Sequence, residues 1–275
     1  MTAMNRIDQR FAALKAARRP GLIPFITAGD PAPDSTVAIM HALVAAGADL
    51  IELGVPFSDP MADGPVIQHA NERALAKGVG LVQLFAWVRE FRQRDAQTPI
   101  VLMGYLNPVE IVGHAAFAQA AVAAGVDGVL LVDCPVEEID TAQPVRDAGL
   151  VQIFLAAPTT DATRLERVCD AAQGFLYYVS FAGITGAARL STDAVRERVA
   201  AIRTRAHTPV AVGFGVRDAA SAAAIAAFAD AVVIGSALVD TLAGSETAEE
   251  ATMRATAFLA PIRAALDARA AADAA

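Results

Sequence analysis

One short pattern recurs along this chain and limits what it can fold into. A stretch of helical character ends in glycine, a few residues follow, and a β-rich apolar run begins. Ala45-Ala46-Gly47-Ala48-Asp49 leads into Leu50-Ile51, and Ala123-Ala124-Gly125-Val126-Asp127 leads into Gly128-Val129-Leu130-Leu131-Val132. Asp147-Ala148-Gly149-Leu150 and Ala171-Ala172-Gln173-Gly174 are looser copies. Glycine just past a helix end takes positive φ without a Cβ clash, so each copy predicts a helix-to-strand turn. The β-rich runs begin near Leu22, Leu50, Pro99, Gly128, Val151, Gly174, Pro209 and Ala231. Between them lie helical patterns, such as Val37, Met40, His41 and Val44, or Leu81, Leu84, Val88 and Phe91. The runs are apolar on both faces, as strands of a parallel sheet are.

Eight strand–helix units in 275 residues predict a closed (β/α)8 TIM barrel, a single domain over residues 1–275. Ile7, Phe11 and Leu14 predict an extra amphipathic N-terminal helix, closed off by Pro20-Gly21. The alternative, an open doubly wound sheet, calls for a glycine-rich phosphate fingerprint after the first strand. Thr27-Ala28-Gly29-Asp30-Pro31 is not one. The alanine-rich stretch after Leu266 reads as a fraying helix end.

Charge and composition narrow the function. With net charge −8 and no basic stripe, neither nucleic acid nor an anionic membrane is expected as a partner. The apolar runs are strand-sized, far short of the roughly 20 residues a membrane span needs. The N-terminus lacks the apolar core and cleavage site of a targeting signal. Cys134 and Cys169 are too few for a disulfide framework, which suits a reduced, cytoplasmic setting. His41, His69, His114 and His207 stand far apart, so no metal site is expected.

In a barrel of this kind the chemistry sits at the C-terminal ends of the strands. Glu52 lies inside the apolar frame Leu50-Ile51-Glu52-Leu53-Gly54. A carboxyl there is costly unless paired or functional, and burial would raise its pKa into the range of proton exchange near neutrality. A structural alternative is a Glu bonded to a backbone amide or an arginine. The following loop, Val55–Pro65, is rich in proline and glycine and carries Asp59 and Asp63. Asp59 reads more naturally as a turn former, whereas Asp63 before Gly64 could serve either role. Tyr105 and Asn107 end the third strand, Asp133 the fourth, and Tyr177, Tyr178 and Ser180 the sixth. Gly213-Phe214-Gly215 and Gly235-Ser236 end the last two, where such barrels often hold phosphate on backbone N–H groups; close helix–strand packing is the alternative use of these glycines.

Several reaction types find no residues here. The two lysines, Lys15 and Lys77, fall in helical patterns, so no strand end offers a Schiff base. No cluster could hold a metal for enolate stabilisation, and no Gly-x-Ser-x-Gly elbow occurs. Carboxylate acid–base chemistry on a phosphorylated small molecule remains.

Four segments resemble the tryptophan synthase alpha subunit family: Pro24–Pro31, Glu52–Pro65, Gly183-Ile184-Thr185-Gly186 and Gly213-Phe214-Gly215-Val216. The resemblance runs from about Phe11 to Leu266. It implies a TIM barrel that cleaves indole-3-glycerol phosphate to indole and glyceraldehyde 3-phosphate. It casts Glu52 as the general acid/base and Asp63 as the carboxylate facing the indole N–H. Phe25, Met103 and Phe214 match the walls of the indole pocket. Tyr177 matches a tyrosine near the catalytic glutamate, and Thr185 a loop threonine that bonds Asp63. Gly186, Gly215, Gly235 and Ser236 match the phosphate cradle. It also implies an α2β2 assembly with a beta subunit, faced by Asp59, Asn107 and Pro108, that carries pyridoxal phosphate; this chain would need no cofactor. Where several relatives have a basic loop residue, this chain has Phe181-Ala182. A free lyase releasing indole, a ligand-sensing subunit and a metal-dependent sugar-phosphate epimerase are the competing readings. The epimerase would want histidine and aspartate ligands at strand ends, and these are missing.

Overall fold

The computed structural model describes residues 5–179, 192–213 and 215–274. Nine strands form one sheet: β1 (Gly21–Thr27), β2 (Ile51–Gly54), β3 (Ile100–Gly104), β4 (Gly128–Leu131), β5 (Val151–Gln152), β6 (Phe154–Ala156), β7 (Leu176–Val179), β8 (Val210–Gly213) and β9 (Ala231–Ile234). Among the described residues the α-helices are α1 (Arg6–Ala16), α2 (Thr36–Ala45), α3 (Pro65–Ala76), α4 (Leu81–Arg92), α5 (Leu106–Val112) and α6 (His114–Ala124). They continue with α7 (Gln143–Asp147), α8 (Ala162–Ala171), α9 (Thr192–Arg203), α10 (Ala219–Ala226), α11 (Ser236–Leu242) and α12 (Ala248–Ala274).

All eight strand pairings are parallel, in the order β5-β4-β3-β2-β1-β9-β8-β7-β6. The ends of that order, β5 and β6, are separated in sequence by Ile153 alone. The two are halves of one broken strand: the first pairs β4, the second pairs β7. The eight predicted strands therefore close into a barrel, and the count of nine records one interruption.

The recurring junction has a common geometry. Gly47, Gly125, Gly149 and Gly174 all have positive φ. At the first three, the glycine N–H bonds the carbonyl three residues back and the next N–H the carbonyl five back. That is the Schellman closure of a helix. The aspartates that follow do further work. Asp49 accepts from the Leu22 amide at 2.9 Å and Asp127 from the Ile100 amide at 2.8 Å. Asp127 is paired with Arg6 and Arg92, and Asp49 with Arg19 and Arg263.

Two main apolar clusters result. One lies between sheet and helices; the other fills the barrel with Ile23, Leu50, Val101, Leu130, Phe175 and Val233. α1 forms as predicted, capped by the Asn5 side chain, and plugs the N-terminal end with Ile7, Phe11 and Leu14. The alanine-rich stretch after Leu266 forms the last turns of α12, which runs from Ala248 to Ala274 with Pro261 inside it.

Candidate active site

β2 is buried at every position, and Glu52 on it is 2% exposed. Its Cα partners are Phe25 on β1 and Val101 on β3. Both belong to the inward-facing set that includes Ile23 and Leu50, so Glu52 points into the barrel. Among the described residues neither structural alternative for Glu52 appears: its Oε1 has no hydrogen-bond partner, and no arginine pairs with it. Burial, reinforced by the charge of Asp63, raises its pKa to about 8. It is therefore a neutral carboxylic acid at pH 7.

Asp63 comes from the loop between β2 and α3. Its amide bonds the Pro60 carbonyl at 3.0 Å, and the Gln68 side chain donates to its carbonyl at 2.8 Å. Burial raises the Asp63 carboxyl to about 6, opposed by hydrogen bonds from the Tyr105 hydroxyl and the Asn71 amide. Tyr105 also accepts from the Ala62 amide at 3.0 Å and stacks on Phe57 with centroids 5.0 Å apart. The two carboxyls thus share one electrostatic neighbourhood but are held differently. Glu52 is isolated in an apolar wall, while Asp63 is bonded in a polar cradle and ionises first.

Tyr177 reaches the same neighbourhood. Desolvation, then the charges of Glu52 and Asp63, push its phenol well above the usual range, so it stays protonated. Two glycines make room. A Cβ on Gly213 would fall on the Tyr177 ring, 2.8 Å from Cζ. A Cβ on Gly54 would stand 2.6 Å from the Phe25 ring. Phe25 and Met103 pack together with Ala70, Val66 and Ile67 from α3, forming an apolar wall beside Glu52.

Gly215, with φ +48°, follows β8, and Gly235-Ser236 joins β9 to α11 at the same rim. Thr185, Gly186 and Phe214, and with them the Phe181-Ala182 segment, lie outside the described residues. Asp59 is exposed and accepts from the Ser58 hydroxyl at 2.6 Å, a local turn contact, and Asn107 and Pro108 sit on α5. No group of three or more His, Cys, Asp or Glu side chains suited to a metal occurs among the described residues.

Sequence reasoning missed Asn71 and the bond from Tyr105. Asn71 is 3% exposed between Ala70 and Ala74 on the buried face of α3. An amide in that apolar stripe was the available signal.

The family profile described as Tryptophan synthase alpha chain matches residues 11–267. The tryptophan synthase alpha chain of Xylella fastidiosa strain 9a5c is 60% identical over 266 residues, 96% of this chain and 99% of the relative. That of Thioalkalivibrio sulfidiphilus is also 60% identical, over 96% of this chain and all of its own length. Among solved structures, tryptophan synthase subunit alpha from Legionella pneumophila superposes with a TM-score of 0.91 at 45% identity, covering 97% of this chain and 100% of that one. A ligand-free tryptophan synthase from M. tuberculosis gives 0.85 at 36%, covering 96% and 99%.

Proposed function

The chain belongs to the tryptophan synthase alpha chain family, and on that premise we propose that Glu52 and Asp63 carry out the family's reaction in it. The chain is a lyase that cleaves indole-3-glycerol phosphate to indole and glyceraldehyde 3-phosphate. It is a subunit that pairs with a beta chain; pyridoxal phosphate sits on that partner, and the alpha chain needs no cofactor.

The observation that supports the assignment is a buried, neutral Glu52, its Oε1 without a partner among the described residues, beside an Asp63 that ionises first. Glu52 protonates C3 of the indole ring, and the cation that forms is spread to the ring nitrogen. Asp63, as carboxylate, accepts a hydrogen bond from the indole N–H and stabilises that charge. Glu52, now a carboxylate, takes the proton of the side-chain hydroxyl adjacent to C3. The carbon–carbon bond breaks, its electrons restore the aromatic ring, and the hydroxyl carbon leaves as the aldehyde. Glu52 ends protonated, as it began. The ring is its own electron sink, so neither a Schiff base nor a metal is called for.

Phe25, Met103 and Phe214 would clasp the ring, with Tyr177 beside Glu52 and Thr185 bonding Asp63. Gly186, Gly215, Gly235 and Ser236 would hold the phosphate, and Asp59, Asn107 and Pro108 would face the partner. The barrel acts as one domain. Among the described residues no helix is long and apolar enough to cross a membrane, and a cytoplasmic site of action fits this.

Asp63→Asn separates charge stabilisation from binding. The expected result is a fall in kcat of about 100- to 1000-fold with KM little changed. A rise in KM at unchanged kcat would contradict the role.

A further inference from the structure

Asp63 is held at its amide, its carbonyl and its carboxyl. The amide bonds the Pro60 carbonyl at 3.0 Å, and the Gln68 side chain donates to the carbonyl at 2.8 Å. The carboxyl accepts from the Tyr105 hydroxyl and from the Asn71 amide. These two donors come from different elements. Tyr105 follows β3 and precedes α5, while Asn71 sits in the middle of α3. Both side chains are buried, Tyr105 at 4% and Asn71 at 3% exposure. A carboxylate accepts at about four sites, so two donors fix its plane and leave others open to a ligand.

Packing alone calls for neither donor. Ala70 and Ala74, beside Asn71 on the buried face of α3, are fully buried. Alanine or leucine at position 71 would form helix better and bury no amide. The Tyr105 ring is fixed by its stack on Phe57, with centroids 5.0 Å apart and planes at 29°. Phenylalanine would stack there equally well. Tyrosine adds a hydroxyl with a single hydrogen. Its oxygen accepts from the Ala62 amide at 3.0 Å, and its hydrogen goes to Asp63. Burial, then the charge of Asp63, holds this phenol above its usual range, so the hydrogen stays in place at every pH where cleavage is expected.

We propose that Tyr105 and Asn71 are positioning residues of the cleavage reaction, which together hold the Asp63 carboxylate in place to face the indole N–H. That role rests on Asp63 being the carboxylate that meets the ring nitrogen. A bond donated to a carboxylate favours the anion, so loss of either donor keeps Asp63 protonated to higher pH. Among the described residues, Glu52 on β2 and Tyr177 on β7 also face Asp63, and Asp133, beyond β4, faces Tyr105. Substitution at position 71 or 105 leaves all three in place.

Tyr105→Phe keeps the ring and removes the hydroxyl; Asn71→Leu keeps the bulk and removes the amide. The carbon-13 carboxyl resonance of Asp63 in the full chain, assigned by its loss in Asp63→Asn, follows the titration without any turnover. Each variant should raise the midpoint by about one pH unit. Each also keeps one donor, so the carboxyl stays placed and the loss of activity concentrates at low pH. Single-turnover cleavage of indole-3-glycerol phosphate should fall about fivefold at about pH 6 and little at about pH 7.5. In the Asp63→Asn background neither substitution should slow cleavage further. A midpoint unmoved in both variants would overturn the proposal. So would a loss that adds in full to that of Asp63→Asn, the mark of a purely structural part. A raised midpoint in a protein whose Asp63→Asn form cleaves at the wild-type rate would instead overturn the role of Asp63 itself, and the positioning role with it.

Discussion

The cost of keeping Glu52 where it is shows in its proton affinity. Its carboxyl takes the proton at about pH 8 in the folded barrel, against 4.5 for the ordinary group. Between those values the unfolded chain has released a proton that the folded chain retains, so stability falls as pH rises through the window. The effect is on the order of 5 kcal/mol, complete above pH 8 and gone below about 4.5. Glu52→Gln cannot ionise and escapes it. We expect urea unfolding to show the variant gaining on wild type steadily from pH 5 to 8; a gap independent of pH would mean that Glu52 is solvated or paired. The same two values fix the activity profile. Cleavage needs Asp63 ionised and Glu52 protonated, so kcat/KM should rise near pH 6 and fall near pH 8, as a property of the coupled pair. Glu52 was legible in the sequence because an acid in an apolar strand frame is costly wherever the strand lies. The polar cradle of Asp63 was not, since the bonds from Tyr105 and Asn71 depend on how α3 and the end of β3 approach the loop.

At the scale of elements, the barrel is built from one turn used repeatedly, and the turns are tied to the strands by the aspartates that follow them. Asp127 shows the device: one carboxylate holds the Ile100 amide, Arg6 of α1 and Arg92 of α4. Asp127→Ala would strand Arg92 and free the plugging helix. We expect a loss of about 3–5 kcal/mol in chemical denaturation, with little change in the pH profile of cleavage. The catalytic end is held differently, by absent side chains. Gly213→Ala must displace Tyr177, and a shift of about 1 Å next to the reacting carboxyl is expected to cost cleavage on the order of 100-fold. Wild-type kcat in that variant would show that Tyr177 has no part in positioning the site. The turns could be read from glycine and aspartate spacing because they are local. The break at Ile153 could not, because it arises where neighbouring strands pull the pairing from β4 to β7.

The whole molecule divides its labour along the barrel axis. The N-terminal end carries the plug and the Asp–Arg ties; the C-terminal rim carries the carboxyl pair and an apolar margin. On that rim Met61 is 81% exposed and Ile111 78%, large apolar surfaces that a beta chain would cover. Ile111→Glu should leave cleavage by the isolated chain unchanged and abolish its stimulation by beta; stimulation at the wild-type level would move the interface elsewhere. The fold was the most legible part of the chain, since eight both-sided apolar runs between amphipathic helices admit few closures. Gly186 of the phosphate cradle and Thr185, the partner expected for Asp63, rest on resemblance alone. The most direct test of the account is a single-turnover measurement of indole release from indole-3-glycerol phosphate by Glu52→Gln and wild type, each without beta. The account predicts slow release by wild type with a fall above pH 8, and release by the folded variant reduced beyond detection. Release by Glu52→Gln at a wild-type rate would contradict the assignment of Glu52 as the proton donor and acceptor.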